Sequence, residues 1–225
     1  MRNGANNDRR DAVILLHGLG RTHRSMERLG ARLSEEGHRV VNVSYPSRRH
    51  EPEQLVEHVA RDLRRNVDTD TRVHFVAHSL GGIIVRVLLA NDPPSNLGRT
   101  VMLAPPNQGS ELADLLSGRA PFRWILGPPL SHLGTREDSL PRRLPAAQFE
   151  LGIIAGNGYV NPLGAAIVPR PNDGIVSVES TRLEGMTDFI AVNRSHTFIM
   201  NAPEVIDEVV HFLREGRFRR PNVNV

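Results

Sequence analysis

From Val73 to Gly82 the chain reads Val-His-Phe-Val-Ala-His-Ser-Leu-Gly-Gly. A strand-like apolar run passes through one serine directly into a helix-like run, with small residues two places before and two places after the serine. So tight a strand-to-helix turn forces its central residue into a strained backbone conformation and crowds the flanking backbones, so Ala77 and Gly81 have to be small. It would lift Ser79 above a sheet at a helix N-terminus, where backbone N–H groups face developing negative charge. Such a hydroxyl is a candidate nucleophile. A nucleophilic serine needs a base, and the base needs an orienting acid.

Ten histidines compete for the role of base. His58 and His211 fall within helical patterns, and His78 precedes the serine on the strained turn. His196 stands in Asn193-Arg194-Ser195-His196-Thr197, between the last strand-like run and the last helix-like run. In a parallel sheet every strand returns its C-terminal end to the same edge, so His196 and Ser79 are expected there together. Asp173, flanked by turn residues and followed by Ile175-Val176, fits as the acid accepting from His196 Nδ1–H; Glu179 and Asp188 are the alternatives. Upstream, Val13-Ile14-Leu15-Leu16-His17-Gly18-Leu19-Gly20 ends a strand in a glycine-flanked turn that lets the backbone approach a substrate. The Leu19 and Leu80 N–H groups would then form an oxyanion hole, with His17 bracing the loop.

These positions need a scaffold, and the rest of the pattern supplies one. Strand-like segments at Ala12–Leu16, His38–Tyr45, Arg72–Ala77, Arg99–Ala104, Gly152–Ala155 and Asp188–Val192 alternate with helical spacings. Among these are Leu55, Val56, Val59 and Leu63, the nearly all-apolar Leu80–Ala90, and Val205 through Leu213. Alternation of this kind predicts an α/β domain with a mainly parallel six-stranded sheet and helices on both faces. It would occupy residues 12–216, between polar tails at 1–11 and 217–225. One stretch breaks the rhythm: residues 118–145 hold several prolines and no clean period, among them Phe122, Trp124, Ile125, Leu126, Leu130 and Leu133. A long connection at the ligand-binding sheet edge reads either as a loop packed on the core or as a lid or cap over a substrate pocket, with Trp124 as a candidate substrate contact.

Composition closes off other chemistries. The 225 residues contain no cysteine, which excludes disulfides, thiol nucleophiles and thiolate metal sites. All 28 basic residues are arginine, so neither a P-loop lysine nor a Schiff-base lysine exists. The formal charge is +3 and the arginines are scattered among acids, which argues against nucleic-acid binding. With no signal-like or membrane-length apolar run, a cytoplasmic location is expected.

The ordered set His17-Gly18-Leu19-Gly20, Ala77-His78-Ser79-Leu80-Gly81-Gly82, Asp173-Gly174-Ile175-Val176 and His196 resembles the α/β-hydrolase fold, and most of all small bacterial lipases and esterases. Leu103-Ala104-Pro105-Pro106-Asn107-Gln108-Gly109-Ser110 is similar to a Thr-Pro-His-x-Gly-Ser stretch of those lipases, with Asn107 in place of the usual histidine. The resemblance spans residues 12 to about 214. It implies a Ser79–His196–Asp173 triad, oxyanion donors at Leu19 and Leu80, and hydrolysis of short- to medium-chain acyl or lipid esters through an acyl-enzyme. Phe198 stands where larger lipases place a calcium-binding aspartate, so neither calcium nor any other cofactor is expected. The minimal form of the fold is implied. The same fold also hosts acyltransferases, phospholipid and glycolipid deacylases, and catalytically silent binding proteins.

Overall fold

The computed structural model describes residues 11–160 and 162–220 of the chain. Six strands form one sheet: β1 (Ala12–Leu16), β2 (Arg39–Asn42), β3 (Val73–His78), β4 (Leu97–Leu103), β5 (Leu151–Gly156) and β6 (Asp188–Val192). Their order across the sheet is β2-β1-β3-β4-β5-β6, and every pair is parallel. The longer helices are α1 (Glu27–Glu35), α2 (Pro52–Asn66) and α3 (Leu80–Asn91), with α4 (Glu111–Ser117) and α5 (Ala120–Leu126) after β4. Then come α6 (Leu140–Arg143), α7 (Pro162–Ile167), α8 (Val178–Thr181) and α9 (Pro203–Glu215). Among the described residues no helix is long and apolar enough to cross a membrane.

The short apolar strands are covered on both sides, as parallel strands require. Ile14, Leu16, Phe75, Ala77 and Met102 pack with Leu55 and Val59 of α2 and Ile83 of α3. Their neighbours Val13, Leu15, Val76, Val101 and Leu103 point the other way, onto Leu29 and Leu33 of α1 and Val205 and Val209 of α9. Register then aligns the C-terminal ends of the strands. Leu16 lies opposite Ala77, His78 opposite Leu103, Leu103 opposite Ile154, and Gly156 opposite Val192.

Three expectations change here. Strand β2 starts at Arg39 and stops at Asn42, opposite Leu15; Tyr45 lies beyond it, buried and stacked on His17 with ring centroids 4.0 Å apart. The stretch 118–145 is broken helix: α5, a 3-10 turn at Pro128–His132, and α6. None of these pieces exceeds seven residues, under two turns, so no apolar period had room to show. The domain also runs past Gly216. Phe218 is buried against Phe212 at 4.9 Å and its N–H donates to Asp188 Oδ2 at 2.8 Å, so Arg217–Arg220 are no tail. At the other end Asp11 belongs to the domain, bonding His74 Nε2 at 3.2 Å. Residues 1–10 and 221–225 lie outside the described residues.

Helix α3 carries one charge, Arg86, which is 3% exposed. Its guanidinium donates to the Asn107 carbonyl (3.0 Å) and Oδ1 (3.3 Å), and to the Leu144 (3.1 Å) and Pro145 (3.3 Å) carbonyls. Asn107 passes the link on, donating from Nδ2 to the Thr181 carbonyl at 2.8 Å. Burial pushes the Arg86 pKa down to about 10, so it stays charged at neutral pH. This one side chain fastens the loop after β4 to the segment before β5, below the site.

Candidate active site

Ser79 sits between β3 and α3 with φ 54° and ψ −122°, a left-handed conformation that non-glycine residues rarely adopt. The turn is fastened on both sides: Ser79 N–H donates to the Leu103 carbonyl at 3.0 Å, and Gly82 N–H to the Ser79 carbonyl at 2.9 Å. A methyl group at Gly81 would come within 2.8 Å of the Leu16 carbonyl oxygen and 2.9 Å of that of His17. Only glycine therefore lets α3 approach the end of β1 so closely.

The strand ends bring Ser79, His196 and Asp173 into one line. His196 Nε2 lies 2.9 Å from Ser79 Oγ, and His196 Nδ1 lies 2.8 Å from Asp173 Oδ2. A buried carboxylate accepts, so Nδ1 carries the imidazole proton and Nε2 is left bare toward the serine hydroxyl. Asp173 is itself held in place. Its Oδ1 accepts from Ile175 N–H (3.0 Å) and Val176 N–H (2.8 Å), and its carbonyl accepts from His196 N–H (3.1 Å). The preceding Asn172 donates to the Ala165 and Val168 carbonyls, anchoring the loop. The two alternative acids lie elsewhere. Glu179 is exposed and pairs with Arg182 at 3.3 Å, and Asp188, at the far end of β6, pairs with Arg220.

Two more histidines support this line from below. His78 Nε2–H donates to the His196 carbonyl at 3.0 Å, and its Nδ1 has no partner among the described residues. Burial, then the neighbouring His196, hold the His78 pKa well below the ordinary imidazole value. His17 is lowered too, chiefly by burial. Its carbonyl accepts from Tyr45 Oη–H, which fixes the end of β1.

The turn after β1 places Leu19 beside this line. Arg21 N–H closes it onto the Gly18 carbonyl at 3.2 Å, with Gly20 at φ 70° in the position where such a turn calls for glycine. In front of Ser79 opens a cavity of about 210 Å³, whose apolar wall includes Leu112, Ala113, Leu116, Leu126, Leu130 and Leu133. Trp124 does not join it. Its side chain is 89% exposed and lines a separate surface hollow with Glu51 and Pro128. Trp124 stands two positions before Leu126 in α5, about 200° around a helix, so the two side chains leave on opposite faces, and so short a helix shows no period in the sequence by which to tell them apart.

A family model described as the alpha/beta hydrolase family matches residues 13–209. The chain belongs to this family. Solved structures agree on the fold. The mature lipase BlEst2 of Bacillus licheniformis superposes with a TM-score of 0.71 at 19% identity, covering 91% of this chain and 92% of that one. A metagenomic carboxyl esterase gives 0.66 at 15% identity, covering 92% and 76%. The phospholipase PlaB of Legionella pneumophila gives 0.67 at 18% identity, covering 91% of this chain and 57% of that one. No curated protein matches.

Within this alpha/beta hydrolase, three features escaped the sequence. Leu112 and Leu116 line the pocket although nothing marked them out, because wall residues are chosen by tertiary placement. Arg21 enters the same pocket. Arg86 had a readable signal, a lone charge inside an otherwise apolar helix; such a residue must find buried partners.

Proposed function

We propose that this protein is a serine hydrolase that cleaves carboxylic esters of short to medium acyl chains through an acyl-enzyme. The hydrogen-bonded line Asp173–His196–Ser79, at 2.8 and 2.9 Å, carries the reading. In it, Ser79 Oγ attacks the ester carbonyl carbon while His196 Nε2 takes the hydroxyl proton. Asp173 stabilises the imidazolium that forms. The negative charge on the carbonyl oxygen is met by the Leu19 and Leu80 N–H groups, the latter at the N-terminus of α3. His196 gives its proton to the departing alkoxide, and a water activated in the same way releases the acid. The leucine-walled cavity of about 210 Å³ suits a short to medium acyl chain.

Hydrolysis of p-nitrophenyl esters, from acetyl to dodecanoyl, tests this with Ser79→Ala protein prepared alongside. Turnover peaking at intermediate length is expected, with loss of about 10⁴- to 10⁶-fold in the variant. Fluorophosphonate should label the native protein alone. An unlabelled native protein without turnover would overturn the reading.

A further inference from the structure

The pocket in front of Ser79 is apolar on one flank and cationic on the other. Arg21 is the one permanently charged residue among the described residues that line it, and no carboxylate lines it. The Arg21 side chain, half-buried, donates from Nη2 to the Thr197 carbonyl at 3.3 Å. A guanidinium has five N–H donors, and among the described residues Arg21 takes part in no ion pair.

Its position relative to the chemistry is fixed. Arg21 closes the turn that presents Leu19, and its hydrogen-bond partner Thr197 directly follows His196. In ester cleavage the leaving oxygen must lie within reach of His196 Nε2, because that nitrogen returns the proton. The alcohol half of the substrate therefore departs on the His196 flank, past Arg21, while the acyl half takes the leucine-walled flank. A half-buried guanidinium without a counter-charge favours an anion beside it.

From this we propose that Arg21 selects esters whose alcohol half carries an anionic group, a phosphate or a carboxylate, and whose acyl half is a short to medium chain. The inference rests on the serine-hydrolase reading above. The reaction joins Ser79 Oγ to the carbonyl carbon and breaks the bond to the alcohol oxygen. That oxygen takes the proton from His196, and water then frees the acid. The products are the carboxylic acid and an anionic alcohol.

Three esters on one three-carbon skeleton separate the sources: 1-octanoyl-glycerol, 1-octanoyl-glycerol-3-phosphate and O-octanoyl-glycerate. For native protein, kcat/KM on at least one charged ester should exceed that on the neutral one by roughly tenfold or more, carried mainly by KM. Whichever charged ester leads identifies the anion. The charged-to-neutral ratio should fall severalfold at ~0.5 M salt. It should drop to about one in Arg21→Gln and be partly kept in Arg21→Lys, a split that a mere loop tie to Thr197 would not produce. A ratio at or below one in native protein, or one unchanged by Arg21→Gln, overturns the proposal. Fluorophosphonate labelling without hydrolysis of any of the three overturns it and leaves the serine-hydrolase reading standing. Neither labelling nor hydrolysis removes both.

Discussion

At the carboxyl ends of the strands, both non-glycine residues with positive φ among the described residues, Ser79 at 54° and Ala104 at 47°, stand within one layer of the sheet. Buried polar groups converge there: His17, His78, Ser79, Asp173 and His196. At the amino ends lies a cavity of about 590 Å³, more than twice the volume of the one before Ser79. It is lined by Leu63, Arg64, Val67, Asp68, Thr71, Val73 and Asp92, among others. Among the described residues that line it there is no histidine. Volume therefore does not distinguish the two edges. What separates them is stored backbone strain together with buried polar groups bonded to one another, each of which costs stability unless something fixes it.

The contrast breaks most sharply at Asp173. In Asp173→Asn the backbone N–H groups of Ile175 and Val176 can still be accepted, but an amide NH2 can face His196 Nδ1 and favour the tautomer with its proton toward Ser79. Ester turnover should fall by about 10³- to 10⁴-fold, with circular dichroism unchanged. Turnover within tenfold of native would deny the carboxylate its orienting part.

The next test uses pH. His17 and His78 at the site edge and His74 toward the other end of β3 all have pKa values lowered mainly by burial, His78 furthest. His74 has Asp11 beside it at 3.2 Å, whereas His78 bonds only a carbonyl. Each group binds a proton less readily folded than unfolded, where the ordinary value is 6.5. The stability it allows is present above that value and lost as pH falls from there toward the folded value. The slope is up to about 1.4 kcal/mol per pH unit for each group. Urea midpoints measured at intervals downward from neutral pH should decline, and more gently in His78→Gln. A flat profile would show these imidazoles to be hydrated in the native state.

The smallest effect is expected at the larger cavity. Asp92→Asn removes an exposed charge from its rim, and ester kcat/KM should stay within about twofold. A tenfold change would join the two edges functionally and undo the comparison.

How much of this could be read beforehand follows the range of the signal. Ser79 was legible because the elbow is local: a strand period, a serine, a helix period, and small residues on either side. His196 and Asp173 were legible at one remove, since parallel strands carry all their C-terminal loops to a common edge. The walls were not. Leu112, Leu116 and Leu126 sit in helices of seven residues, too short to declare a face. Trp124 drew notice for its size, yet size alone does not say which way a side chain points. The boundary at Gly216 failed for a similar reason. Phe218 is one apolar residue among arginines, and its burial depends on Phe212 and Asp188, both distant in sequence.

Among the described residues, the strand that leads to His196 has a neighbour on one side only: β6 is bonded to β5, at the end of the sheet opposite β2. Opening a border strand breaks one ladder and leaves the rest of the sheet paired, so it requires less free energy than melting the domain. Such an opening would carry His196 and Thr197 away from Ser79 while most of the fold persists. The durability of the whole constellation is thus that of its outermost strand, however firmly Ser79 is held at the centre.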